Sequence, residues 1–168
     1  MRNRLQELRN FLESKYAELG VKPEQAIYDI EEIEVVPGSH AESEQGYNFC
    51  SLRYSAGIYI ERFRQKNVAL LAMLVKAWLD DHDRLRDDFK LEEPKIKLIQ
   101  LDNEGLAGLA DVMIVLDFVD ECFLSPADEG DKKAFLWAGR RWNASDYPVD
   151  YATKGQVEKA PFSGDDLP

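Results

Sequence analysis

Residues 47–61 read Tyr47-Asn48-Phe49-Cys50-Ser51-Leu52-Arg53-Tyr54-Ser55-Ala56-Gly57-Ile58-Tyr59-Ile60-Glu61. Cys50, Leu52, Tyr54, Ala56, Ile58 and Ile60 fall on every second position, and Phe49, Ser51, Arg53, Ser55 and Tyr59 alternate with them. A period of two belongs to an extended chain whose side chains point to opposite faces in turn. The first set is much the more apolar, so the stretch predicts a long strand with one face on a core.

The period then changes. Across 64–82, Val68, Leu71, Ala72, Val75, Trp78 and Leu79 recur at steps of three and four, which predicts a helix with an apolar stripe. Leu70, Met73, Leu74 and Ala77 form a second stripe beside it. Asn67 stands where an N-cap belongs, and Asp83 and Arg84 lie just past the end. A helix this apolar is covered on more than one side. Its second face meets either the sheet or another subunit.

Upstream, Leu5, Leu8, Leu12, Tyr16 and Leu19 predict a helix over 2–19, closed by Gly20. Residues 26–36 mix two signals. Ile27, Ile30 and Ile33 hint at a helical turn, whereas Ile33, Val35 and Val36 suggest a strand. The expectation is a strand with an irregular start, closed by Pro37-Gly38, followed by an exposed polar loop over 38–46.

Downstream, 95–102 reads as a strand. Ile96 and Leu98 share one face and Ile99 and Leu101 the other, a switch that signals either a bulge or burial on both faces. A glycine turn over 102–108 leads into a second strand, 110–123, with Val112, Ile114, Leu116, Phe118 and Cys122 on one side; the two form an antiparallel hairpin. The element order predicts an α+β fold, a mostly antiparallel sheet with two helices packed on one face. Ser125-Pro126 marks a boundary, giving a domain over 1–126 and an aromatic-rich C-terminal extension over 127–168. That extension carries Trp137, Trp142, Tyr147, Tyr151 and Phe162 without period, and a short strand at 134–138. Such a segment is expected to lie on the main domain or on a neighbouring copy.

The 168 residues carry 21 Lys and Arg against 32 Asp and Glu, a net charge of -11. That balance argues against a nucleic-acid binder, which needs a basic surface to neutralise phosphate. An acidic surface keeps a protein soluble or meets a basic partner. No apolar run approaches the length of a membrane helix, and Met1-Arg2-Asn3-Arg4-Leu5 is not followed by the long apolar stretch of a secretory signal. Cys50 and Cys122 lie in apolar strand-like runs and read as buried free thiols, not as a disulfide scaffold or a metal knuckle.

Tests for chemistry return no catalytic residue, cofactor site or metal site. No phosphate-cradling glycine loop, dinucleotide fingerprint or nucleophile elbow is present. His40 sits in the polar loop and is expected in solvent; His82 ends the long helix, where it favours the helix dipole. Asp80, Asp81 and Asp83 crowd the same helix end. They read first as a solvated acidic end, and as a functional acidic patch by hypothesis, because carboxylates there oppose the dipole. Arg140-Arg141 between Trp137 and Trp142 is better read as an anchor for the extension than as a nucleic-acid grip.

The run Arg53-Tyr54-Ser55-Ala56-Gly57-Ile58-Tyr59-Ile60-Glu61-Arg62-Phe63 resembles the tail completion protein R family of contractile-tailed phages, where an Arg-Tyr pair opens an alternating strand. Leu70 to Leu79, an aliphatic helix ending near Trp78, is similar to the family's helix. So is the order of elements from the N-terminal Leu5-Arg9-Leu12 helix through Phe89 to the final strand from Asp111. The resemblance covers residues 1–126. It implies a structural virion protein of a phage or prophage, not an enzyme, assembled in the host cytoplasm. Such proteins form a ring, typically of six copies, on the head-proximal end of the tail tube. The ring stops tube growth and offers a surface to the head–tail connector. The implied partners are other copies of the chain, the tube protein and the connector, with no sequence-specific nucleic-acid contact and no membrane. For subunit contacts the expectation falls on Leu70, Met73, Leu74 and Ala77 on the helix and on Trp137 and Trp142 in the extension. The alternatives are a tube subunit or connector of similar fold, a small metal-dependent hydrolase, and a peptide-binding adaptor.

Overall fold

The computed structural model describes residues 3–101 and 107–145. Two helical pieces open the chain, α1 (Arg4–Glu13) and α2 (Tyr16–Leu19). Two strands follow, β1 (Ala26–Pro37) and the two-residue β2 (Glu42–Ser43). The long strand β3 (Gly46–Arg64) leads to helix α3 (Val68–His82) and the single turn α4 (Leu85–Asp88). Then come β4 (Lys95–Gln100), β5 (Leu109–Pro126), β6 (Phe135–Trp137) and β7 (Arg140–Ser145). The turn at 102–106 and the aromatics Tyr147, Tyr151 and Phe162 lie outside the described residues.

The fold is α+β. Among the described residues the sheet has seven strands in the path β1-β3-β5-β7-β6, with β2 on β3 and β4 on β5. Every pairing is antiparallel. β3 and β5 form its spine, paired from Tyr47↔Leu124 to Arg64↔Leu109 with register shifts at Asn48/Cys50 and Ile60/Phe63. The alternation predicted for 47–61 holds from Tyr54 to Ile60, whose even-numbered residues are buried. Nearer the strand's start the register slips between Asn48 and Cys50. There Asn48 and Ser51 are buried, while Cys50 and Leu52 are only half-buried. An extra residue in one strand turns the side chains that follow it.

The core joins Leu5, Leu8 and Leu12 of α1 and Leu71, Val75, Trp78 and Leu79 of α3 to Ala56, Ile58 and Ile60 of β3 and Val112, Ile114 and Leu116 of β5. Each stripe named from periodicity supplies its share. The helix expected over 2–19 is interrupted, however. Ser14 and Lys15 separate α1 from α2, and the Ser14 hydroxyl donates to the Phe11 carbonyl at 2.5 Å. A serine hydroxyl competing for a helical carbonyl loosens the ladder at that point. Gly20 closes α2 in the left-handed region, φ 70°, where a Cβ is strained. Asn67 precedes α3 but does not cap it. Its side-chain amide donates to the Leu19 carbonyl at 2.9 Å, tying the end of α2 to the start of α3.

β1 carries one irregularity, a register shift between Ile30 and Glu32. The exposed loop over 38–46 is tighter than a free loop, since β2 pairs back onto Gly46 and Tyr47. The switch of faces in 95–102 marks neither a bulge nor two-sided burial. β4 pairs with β5 without a break, Lys95↔Val115 to Gln100↔Ala110, and both Leu98 and Ile99 are exposed. Past Pro126, β6 and β7 form a hairpin whose turn residues, Ala138 and Gly139, both have positive φ, the geometry of a two-residue turn matched to strand twist. β7 pairs with the end of β5, Phe123↔Ser145 to Pro126↔Trp142, so this hairpin belongs to the same sheet.

Candidate functional site

Four charged side chains lie in the interior at one end of the core: Arg4, Asp83, Arg86 and Asp120 are 5%, 4%, 6% and 2% exposed. Arg4, at the first turn of α1, donates from Nη1 to Asp83 Oδ1, just past α3. Its Nε lies 3.4 Å from Asp120 Oδ1 on β5. The Tyr54 hydroxyl donates to Asp120 Oδ2 at 2.8 Å and accepts from the Leu5 amide at 3.3 Å. Arg86 approaches Asp83 at 3.5 Å, and its Nη2 donates to the Asp117 carbonyl at 3.0 Å. The group therefore ties the start of α1, the end of α3 and α4 to the two central strands.

Burial lifts the Asp120 carboxyl to about 6, against the downward pull of Tyr54 and Arg4. Burial, then the charge of Asp120, pushes the Tyr54 hydroxyl well up. Carboxylates held by arginines and a tyrosine inside a core lock elements in place. The site escaped the sequence reading, although one signal was present. Asp120 interrupts the apolar even-numbered face that runs from Val112 to Cys122.

Asp83 thus belongs to the interior. Asp80 and Asp81 stay on the surface, and Asp80 is bonded to Lys76 at 2.6 Å. The structure does not gather the three into one exposed patch. His82 stacks on Trp78 at 5.1 Å and its Nδ1 contacts the Trp78 carbonyl. His40 is in solvent beside the Tyr47 hydroxyl.

On α3, Met73 is 62% exposed and Ala77 is also in solvent. Leu70 and Leu74 are half-buried and packed against the core. The second stripe therefore divides into a flank that completes the core and a narrow free surface. Trp137 and Trp142 pack on their own chain. Trp137 lies 5.4 Å from Tyr47 and edge-on to Phe49 at 5.1 Å, and Trp142 lies 5.7 Å from Tyr47. The Trp142 indole N–H donates to the Trp137 carbonyl, and Trp142 is 8% exposed. Arg141 donates to the Asp131 carbonyl at 2.6 Å. It braces the hairpin internally, whereas an anchor onto the main domain was expected.

Cys50 and Cys122 are free and half-buried. They face each other across β3 and β5, a pairing invisible from their separation in sequence. Burial, then the neighbouring Cys50, pushes the Cys122 thiol up to about 12. A shallow groove of about 510 Å³ runs along Glu32, Ile33, Glu34, Arg53, Tyr54, Ser55 and Asp117. It is open and lined by charges of both signs. Among the described residues no group of three His, Cys, Asp or Glu is placed to hold a metal, and no helix is long and apolar enough to cross a membrane.

A family model described as P2 phage tail completion protein R (GpR) matches residues 2–146. No curated protein and no solved structure matches the chain.

Proposed function

The chain belongs to the P2 phage tail completion protein R family, and from that premise we propose that it is the terminator of a contractile tail. Membership makes it a structural tail protein; the finer role is our reading. In this role copies close into a ring, by resemblance of six, at the head-proximal end of the tail tube. The ring stops further tube growth and presents a surface to the head–tail connector. Assembly takes place in the cytoplasm of the host, from a free phage or a prophage.

The observation that carries this reading is the family match, which spans all the described elements from α1 to β7. The surface supports it. Ring closure needs two different patches on one chain, each meeting the other on a neighbour. Met73 and Ala77, flanked by Leu70 and Leu74, offer one such patch on α3. The exposed Phe135 and Leu136 of the aromatic hairpin, whose Trp137 and Trp142 pack inward on Tyr47, offer a candidate for another. We place α1 and α3 side by side on one face of the sheet, which leaves the outer flank of α3 free for contact.

Electron microscopy and native mass of the purified protein, alone and with tail tubes, test the reading. Closed rings of one copy number, or rings only on tube ends, support a terminator. Long tubes built from the protein alone point to a tube subunit. A chain that neither closes into rings nor binds tubes contradicts the reading.

A further inference from the structure

Two of the outer strands of the described sheet, β1 and β4, carry opposite charge. β1 is paired only on its β3 side, and β4 only on its β5 side, among the described residues. β1 carries Asp29, Glu31, Glu32 and Glu34 and no Lys or Arg; β4 carries Lys95 and Lys97 and no Asp or Glu. Five of the eight large hydrophobics exposed among the described residues lie on these strands: Ile27, Ile33 and Val35 on β1, Leu98 and Ile99 on β4. Unpaired edges are places where another chain adds as a strand, and proteins that leave them free usually charge them against such addition. Here β1 and β4 carry opposite signs, with Lys95 also bonded to Glu92 of its own chain at 2.5 Å, so each strand repels its own kind and attracts the other.

The register shows how they would meet. Lys95 is level with Val115, Gly57 and Asp29 across the sheet, and Lys97 with Met113, Tyr59 and Ile27. β1, β3, β5 and β4 alternate in direction. A second copy related by rotation about an axis along the strands would therefore set its β1 antiparallel to β4 of the first. With no step, Lys95 comes beside Asp29. With a step of two residues, of the kind a closed sheet requires, Lys97 comes beside Asp29 and Lys95 beside Glu32, the ladder residue that follows the bulge at Glu31.

The helices lie to match. The Tyr16 and Tyr28 hydroxyls bond at 2.9 Å, and Arg9 lies over the Tyr28 ring at 5.4 Å, so the α1–α2 segment borders β1. Lys76, three residues beyond Met73, reaches Glu93 at 3.2 Å, so that flank of α3 borders the segment leading into β4.

We infer that the partner of each free edge is a second copy of this chain: β4 of one copy adds to β1 of the next, head to tail, and the repeated contact runs one antiparallel sheet from subunit to subunit. This rests on the ring reading and names its contact.

Two variants test it, Lys95→Glu with Lys97→Glu, and Asp29→Lys with Glu32→Lys, each checked for an unchanged fold by circular dichroism. Each alone sets like charges together and should raise the concentration needed for rings by about tenfold or more. Mixed one to one, every β4–β1 contact in an alternating ring again pairs opposite charges, so rings of even copy number should return. A misfolded variant could not be rescued in this way. If each variant alone assembles as the unaltered chain does, the edge contact is wrong while the ring reading stands. If the mixture shows no recovery, charge pairing at these edges is excluded. If the unaltered chain forms rings neither alone nor on tube ends, both readings fall.

Discussion

Asp120 occupies a position where the alternation of β5 calls for an apolar side chain, between Phe118 and Cys122. Its carboxyl is lifted to about 6 from an ordinary 3.8. The folded chain therefore binds this proton more tightly than the unfolded chain, and stability gains as pH falls from about 6 to about 4. In urea melts, the unaltered protein should gain stability from pH 7 to pH 5 relative to Asp120→Asn; equal slopes would remove Asp120 as the source. Arg4→Met leaves Asp83 without its bond from Nη1 and Asp120 without its nearest cation. It should cost about 3–5 kcal/mol, the range for a broken buried ion pair, read by the same melts. Neither arginine was legible in the sequence. Arg4 falls on the buried stripe with Leu8, and Arg86 follows the helix, but only the fold shows that their charges meet. The gap at Asp120 was legible, yet a lone acid on an apolar face does not name its partners.

Single elements were read well where one period ruled. β3 from Tyr54 to Ile60 and the stripe Leu71, Val75, Trp78 and Leu79 follow directly from spacing, because burial selects the face. Short-range chemistry was harder to read. The break at Ser14 and the amide of Asn67 turned toward Leu19 depend on local competition for hydrogen bonds, which periodicity does not weigh. Gly46 falls at the end of the stretch that the sequence reads as an exposed polar loop. It has φ 115°, and a Cβ there would come 2.5 Å from the Leu124 carbonyl oxygen. Gly46→Ala should therefore destabilise the protein by about 3 kcal/mol, combining backbone strain with steric displacement of β5, measurable as a lowered urea midpoint. On α3 the division of the second stripe separates two effects. Met73→Glu places a charge in solvent, so it should leave stability unchanged within about 0.5 kcal/mol while blocking rings. Leu74→Glu should also lower stability, since Leu74 packs on the core. Rings that persist with Met73→Glu would remove α3 from the contact.

For the whole molecule, the hairpin β6–β7 continues the sheet of the main domain, and its tryptophans cover Tyr47 and Phe49. Their sequence carries no period because β6 is three residues long, and a short hairpin is positioned by the strand end it joins. The fold that results is a single sheet with an acidic outer strand, β1, and a basic outer strand, β4, a body suited to head-to-tail contact. Its proposed task is to end a polymer. The most direct test is electron microscopy of tails made without this chain, followed by addition of the purified protein. Termination predicts tubes of uncontrolled length that fail to join heads when the chain is absent. It also predicts that adding the chain restores joining for those of the tubes that have stopped at normal length. Tails of normal length that join heads without it would contradict the account.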